Sequence, residues 1–292
     1  MEHLIDDAFL KRLANLRFIL KGRRKGHLSG PHPSPRAGVS LEFADYRDYT
    51  RGDDFRYVDW NIYGRLDRLL VKSFVHEVDV PIYIFLDLST SMSLGSPPKA
   101  RYAARVAAAL AYLGLRGLDR VGLLPFADRL LPPIPPRHGM KQMALILRAL
   151  QDLSPSGNTS INEILNEFLA RSRESGLVFL VSDFFSERGY QEGISRLVYR
   201  GNQVVAIQTL DPLEMNPAAN GSTRITDSET LSHLDLNVGE RTRAQYQKRL
   251  MAYVSALRRF LAVHRIPYFM APTDLPLDIL IHEQMRNGGV IK

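Results

Sequence analysis

The sequence of 292 residues contains no cysteine, one tryptophan and no long uninterrupted apolar run. Without cysteine, disulfides and thiolate metal sites are excluded, which fits a reducing cytosol. No apolar run approaches the ~20 residues that a membrane-spanning helix needs. The N-terminal stretch has early acidic residues and lacks the apolar core of a secretory signal peptide. The sequence therefore predicts a cytoplasmic protein.

Acidic residues are missing from two basic stretches, although the net charge of the chain is only +7. Eight Lys and Arg lie between Lys11 and Arg36, and seven lie between Arg241 and Arg265, with no Asp or Glu in either stretch. Such runs bind nucleic acid, anionic lipid or acidic proteins. Stacking aromatics are not interleaved with these charges, so nucleic acid is disfavoured and two solvated helix faces are favoured. Peripheral membrane contact through the basic segments stays open.

The order of elements predicts an α/β fold with a doubly wound, mostly parallel open sheet of about six strands. From residue 80 onward, buried apolar strands alternate with amphipathic helices, the pattern of a parallel sheet covered on both faces. We assign residues 79–292 to this domain. Residues 1–78 form an N-terminal extension packed on it, made of an amphipathic helix over 4–20, a basic arm and an ion-paired segment rich in aromatics.

Oxygen-bearing side chains follow the predicted strands at the edge where ligands bind in open parallel sheets. In "PIYIFLDLSTSM", Asp87, Ser89 and Ser91 come directly after a buried strand. Asp183 follows the strand "GLVFLV", and the loop "SPSGNTSI" brings Thr159. An all-oxygen set suits a hard cation, so we expect Mg²⁺, with Mn²⁺ or Ca²⁺ as alternatives.

Three other interpretations compete with a metal site. The Ser and Asp cluster after the first strand could cap the following helix. A phosphotransferase or metal-assisted hydrolase could use Asp87, but a general base is not evident, Ser89 stands where a second carboxylate is common, and the sequence has no phosphate loop. A nucleic-acid binder would rest on the two basic stretches, and its affinity would fall steeply with salt.

The motif Asp87-x-Ser89-x-Ser91 with Thr159 and Asp183 resembles the metal-ion-dependent adhesion site (MIDAS) of von Willebrand factor type A domains. The upstream sequence "GVSLEFADYRDYTRGDDFRYVDWNIYGR" resembles the signature of one bacterial branch of these domains, domain-of-unknown-function family fifty-eight. This branch often occurs alongside MoxR-type AAA+ ATPases. The resemblance covers the chain from about residue 20 to its end.

The resemblance implies direct ligation of Mg²⁺ by the hydroxyls of Ser89, Ser91 and Thr159. Asp87 and Asp183 would act mostly through water, and a partner protein's Asp or Glu would complete the octahedron. Two positions depart from the family pattern: Ser160 stands where Asp often follows the Thr, and Phe184 stands where Gly is common. The rim expected to contact the partner comprises Thr90, Met92, Gly157, Asn158, Ser160 and Phe184.

The sequence thus predicts a non-enzymatic, Mg²⁺-dependent protein-interaction module without a small-molecule substrate. By resemblance, it would be an adaptor for a MoxR-type AAA+ ATPase that matures or remodels a client complex.

Overall fold

The computed structural model describes residues 7–19, 26–27, 41–76, 80–217, 221–226 and 233–292. The chain divides into two compact units, one formed by residues 1–20 together with 80–292 and the other by residues 21–79. The division before residue 80 lies close to the boundary predicted after residue 78. The N-terminal helix, however, belongs to the large unit, and its assignment to the same segment as the basic arm was wrong.

This helix, α1 (Asp7–Leu13), is also shorter than the predicted helix over residues 4–20, of which residues 4–6 and 20 lie outside the described ranges. The chain turns after Leu13 because Phe18 forms a β-bridge with Ile291 near the C terminus. Leu13 and Phe18 are buried in the core of the large unit. The apolar spacing therefore identified a buried face correctly, but that face belongs to a helix followed by an extended segment.

In its described residues, the small unit consists of an antiparallel sheet, a 3₁₀ turn (Phe55–Tyr57) and one α-helix. Its strands are β1 (Gly26–His27), β2 (Leu41–Asp48) and β3 (Leu70–His76), in the order β1-β3-β2, and its helix is α2 (Trp60–Leu66). The predicted ion pairing is present, for example between Arg47 and Asp53 at 2.7 Å. Because such pairs are partly exposed, each stabilises the unit only slightly.

The large unit contains the predicted parallel sheet. The strands of the large unit are β4 (Ile82–Asp87), β5 (Val121–Phe126), β6 (Ile134–Arg137), β7 (Leu177–Ser182), β8 (Gln203–Leu210), β9 (Gly221–Thr226), β10 (His233–Val238) and β11 (Tyr268–Pro272). Of these, β9 and β10 form a separate two-stranded hairpin. Six of them form one sheet in the order β11-β8-β7-β4-β5-β6, in which only the pair β5–β6 is antiparallel. The predicted fold class is therefore confirmed.

Helices cover both faces of this sheet. They are α3 (Lys99–Arg116), α4 (Met140–Gln151), α5 (Ile161–Arg171), α6 (Gln191–Tyr199), α7 (Pro212–Met215) and α8 (Glu240–Val263), followed by a π-helical turn (Ile279–Met285). Alternate residues of β4 face opposite sides. Ile84 packs in the core formed with α1, α3 and α4, and Phe85 packs in the core formed with α5, α6 and α8. Within the described ranges, no helix has both the length and the apolar character needed to cross a membrane.

Candidate metal centre

The parallel pairing of β4 with β7 brings two aspartates to the same edge of the sheet. Asp87 is the last residue of β4, and Asp183 directly follows Ser182, the last residue of β7. The register pairs Leu86 with Val181, so both chains leave the sheet at the same level. Asp87 and Asp183 are fully buried. This is the edge at which open parallel sheets bind their ligands.

Both carboxylate oxygens of Asp87 accept hydrogen bonds from the protein. The backbone N–H of Ser89 donates to Oδ1 at 2.9 Å, and the Ser182 hydroxyl donates to Oδ2 at 2.5 Å. Burial, together with the nearby Asp183 carboxylate, raises the pKa of Asp87 to about 7. The effect of burial and of Asp183 thus outweighs the opposite effect of the hydrogen bonds from Ser182 and Ser89.

The serine hydroxyls of the loop after β4 connect the two aspartate-bearing strands. The oxygens of Ser89 and Ser91 lie 3.0 Å apart, and the Ser91 hydroxyl donates to Oδ2 of Asp183 at 2.8 Å. A Mg²⁺ ion with six oxygens at about 2.0–2.1 Å has neighbouring ligands about 3 Å apart. The 3.0 Å between the Ser89 and Ser91 oxygens matches that octahedral edge, so this hydroxyl pair fits the expected ion.

The Thr159 loop is joined to the same region through backbone contacts. Both the N–H and the hydroxyl of Thr90 donate to the carbonyl of Gly157, at 2.9 and 3.0 Å. Thr159 itself is 3% exposed, and its carbonyl accepts a hydrogen bond from the Ser186 hydroxyl at 3.0 Å. The loop between α4 and α5 is thereby held beside the loop after β4.

Two residues that the sequence reasoning missed complete the polar cluster. The Lys99 ammonium lies 2.7 Å from Oδ2 of Asp183 and 2.7 Å from Oε1 of Glu214, and the Lys99 side chain is fully buried. Burial lowers the pKa of Lys99, but the two carboxylates raise it more, so its net pKa lies above the ordinary value. Burial raises the pKa of Glu214 more than Lys99 lowers it.

Part of this cluster has a local sequence signal. Asp211-Pro-Leu-Glu214 is a capping box at the start of α7, in which the Asp211 N–H donates to Oε2 of Glu214 at 2.8 Å. That motif predicts a helix start, but nothing in the sequence connects Glu214 to Lys99. Across the described residues, no three His, Asp or Glu side chains form a metal-binding group. A cation at this edge would therefore depend on the serine and threonine hydroxyls.

The predicted rim is only partly accessible. Gly157 and Asn158 are exposed and Thr90 is half-buried, whereas Ser160 is buried. Met92 and Phe184 are fully buried, and their assignment to a partner-contacting rim was wrong. Met92 points into the core from the 3₁₀ turn at Thr90–Ser93, and Phe184 packs edge-on against Tyr190 at 6.0 Å between ring centres.

Phe184 also has a backbone conformation that glycine adopts more easily. Its φ angle is +64°, in the left-handed region. The conformation is held by three contacts: the Phe184 N–H donates to the Ser182 hydroxyl at 2.8 Å, its carbonyl accepts from Tyr253, and its ring is buried. The departure from Gly noted in the sequence is thus compensated by packing.

An open pocket of about 400 Å³ adjoins the Thr159 loop. It is lined by Asp128, Gly157, Asn158, Thr159, Ser160, Glu187 and Arg188. The exposed part of the predicted rim therefore borders a concave, polar surface.

Comparison with known proteins identifies relatives and similar structures. The family model described as "Protein of unknown function DUF58" matches residues 45–254. Uncharacterized proteins of Mycobacterium tuberculosis and Mycobacterium bovis are each 24% identical over 98% of this chain and 93% of their own length.

Among solved structures, the conserved hypothetical protein BatB from Bacteroides thetaiotaomicron is 18% identical, with a TM-score of 0.43 over 72% of this chain and 98% of that one. Manganese-loaded TRAP protein from Plasmodium vivax is 16% identical, with a TM-score of 0.43 over 73% of this chain and 74% of that one.

Proposed function

The chain belongs to the DUF58 family, and from this membership and the polar cluster at the strand ends we propose that it is a non-enzymatic, Mg²⁺-dependent protein-interaction module of the cytoplasm. The observation that carries the proposal is the hydroxyl pair of Ser89 and Ser91, which reaches Asp183 at the ligand-binding edge of a parallel sheet.

The charge of the cluster supports a divalent cation. Asp87, Asp183 and Glu214 are three carboxylates with little or no exposure, and Lys99 is the ammonium that contacts two of them. When all four are ionised, the cluster carries an excess of two negative charges, and buried charge without a partner is costly. A Mg²⁺ ion would neutralise that excess, and Mn²⁺ or Ca²⁺ would match the same oxygen ligands.

The residues divide between holding the ion and orienting its surroundings. Ser89, Ser91 and Thr159 would bind it through their hydroxyls. Asp87 and Asp183 already accept hydrogen bonds at both carboxylate oxygens, so they would orient the serines and bound water. When bound, the ion supplies a coordination position for an Asp or Glu of a partner protein. The pocket beside Thr159 would help to select that partner.

The partner side of the proposal comes from the family resemblance. We propose that the protein is an adaptor that works with a MoxR-type AAA+ ATPase on a client complex.

A role for Asp87 as a phosphotransferase nucleophile is less compatible with the site, because both of its carboxylate oxygens are engaged by Ser182 and the Ser89 N–H.

Thermal unfolding with added metal tests the ion site. A ligand that binds only the native state stabilises it by about 2.7 kcal/mol at a concentration 100 times its Kd. Mg²⁺ or Mn²⁺ should therefore raise the Tm of the wild type and of Ser255→Ala, a control at an exposed serine on α8. Ser89→Ala and Ser91→Ala should lose this increase. Equal increases in all four proteins would contradict the ligand assignment.

Partner capture tests the interaction. Affinity purification with Mg²⁺ should retain partners that are released by a chelator and are not captured by Ser91→Ala. Capture that is identical with and without the chelator would contradict metal bridging, even if the ion itself binds.

A further inference from the structure

Lys99 has an unusual position for a lysine. It is the first residue of α3, where the partial positive charge of the helix N terminus disfavours a cation. Its side chain is nevertheless fully buried, and fully buried lysines are rare unless they are paired. The first turn of α3 has no acidic residue, so the compensating charges come from distant parts of the chain.

Both carboxylates that hold the ammonium are themselves fixed. Oδ2 of Asp183 accepts from Lys99 and from Ser91, while Oδ1 accepts from the Phe185 N–H at 2.9 Å. Oε1 of Glu214 accepts from Lys99, and Oε2 accepts from the Asp211 N–H. The ammonium is therefore held rigidly, and a single carboxylate oxygen separates it from the Ser91 hydroxyl.

We infer that Lys99 is a permanent cation of the metal centre, which positions Asp183 and weakens the binding of a divalent ion so that the ion exchanges readily. This inference rests on the proposed function. Lys99 and Ser91 together occupy Oδ2 of Asp183, which keeps this oxygen from direct ligation. An ion bound to the Ser91 hydroxyl would be separated from the ammonium only by the Ser91 and Asp183 oxygens. Because two cations this close repel each other in a buried site, the fixed ammonium lowers the affinity for the ion.

Metal affinity, measured by calorimetric titration with Mn²⁺ and with Mg²⁺, tests the inference. Lys99→Met should bind at least tenfold more tightly than the wild type. Lys141→Met is the matched control, because Lys141 is an exposed lysine on α4, and its affinity should equal that of the wild type. An unchanged or weaker affinity in folded Lys99→Met would overturn the inference.

Lys99→Met leaves Glu214 without its cation and could therefore fail to fold. A second pair of variants, in which Glu214 is replaced as well, keeps the inference testable in that case. Glu214→Gln should bind the ion more weakly than the wild type, because it removes a negative charge. Adding Lys99→Met to Glu214→Gln should tighten binding again by at least tenfold. If Lys99 had a purely structural role, its replacement would lower the Tm but would not tighten metal binding in either background. Failure of both Lys99→Met proteins to fold would overturn the inference, since Lys99 would then serve the fold itself.

The results also separate this inference from the proposed function. Absence of binding in the wild type, even with binding in Lys99→Met, would refute the proposed function, and the inference that rests on it would fall with it. Absence of binding in both would refute both proposals. Binding in the wild type, with equal affinity in Lys99→Met, would refute the role of Lys99 alone.

Discussion

Replacing Asp87 with asparagine should stabilise the metal-free protein above about pH 7 and destabilise it below about pH 4. The side chain is fully buried, and burial with the nearby Asp183 raises its pKa from the ordinary 3.8 to about 7. An acid whose pKa is raised by folding binds more protons in the folded than in the unfolded state between these two pH values. The stability of the wild type should therefore fall as the pH rises through this interval.

The size of the effect follows from the two pKa values. Each pH unit between them is worth about 1.4 kcal/mol, so ionisation of Asp87 should destabilise the wild type by about 4 kcal/mol once the pH exceeds about 7. The variant side chain avoids this loss, but its amide nitrogen cannot accept the hydrogen bond that Ser182 donates to Oδ2 of the aspartate. A buried hydroxyl without its acceptor costs about 1–3 kcal/mol. The variant should thus gain about 1–3 kcal/mol at high pH and lose a similar amount at low pH.

Urea unfolding in the presence of a chelator, followed by circular dichroism across this pH range, measures the difference between the two proteins. The control is Asp128→Asn, the same substitution at an exposed carboxylate. A difference between Asp87→Asn and the wild type that does not change with pH would refute the reasoning, because it would mean that Asp87 does not titrate in this interval.

Three further changes test the packing of the large unit, each by urea unfolding. Phe184→Gly relieves the φ of +64° but empties a buried ring site, so it should destabilise the protein by about 3 kcal/mol; a net stabilisation would show that strain outweighs packing. Leu13→Ala should lower the global free energy of unfolding by about 3 kcal/mol, and a loss confined to the N terminus would contradict the placement of α1 in the core. Gly95→Ala places a Cβ against Oδ2 of Asp211 and should destabilise the protein more than Gly139→Ala, which has a similar positive φ in open space; equal effects would exclude the contact as the cause.

The sheet could be predicted from the sequence because its strands are local apolar runs. The continuous apolar run in "PIYIFLDL" indicates a strand that is buried on both faces, and the structure has such a strand there, β4 (Ile82–Asp87). The long helix α8 (Glu240–Val263) also has a local signal, because no Gly or Pro interrupts this stretch. The N-terminal helix was predicted too long, because the bridge from Phe18 to Ile291 depends on a contact with the other end of the chain.

Prediction of the site had a similar limit. Asp87 and Asp183 were expected at one edge because the carboxyl ends of parallel strands share an edge, and the structure brings both there. Lys99 was not expected, because its partners Asp183 and Glu214 lie 84 and 115 residues away. Met92 was assigned to the rim as a chain neighbour of Ser91, but adjacent residues of a tight turn point in different directions, and Met92 points into the core.

The edge strand β6 has a consequence for how other proteins can reach this sheet. It contains Pro135 and Pro136 in its four residues, Ile134–Arg137, and it closes the sheet beside β5. Proline has no N–H, so this margin cannot offer the row of donors that an added strand requires. An aggregating copy or an extended peptide that added a strand at this edge would therefore lack the backbone donors needed to hold it. On this side of the molecule, recognition is left to side chains and loops.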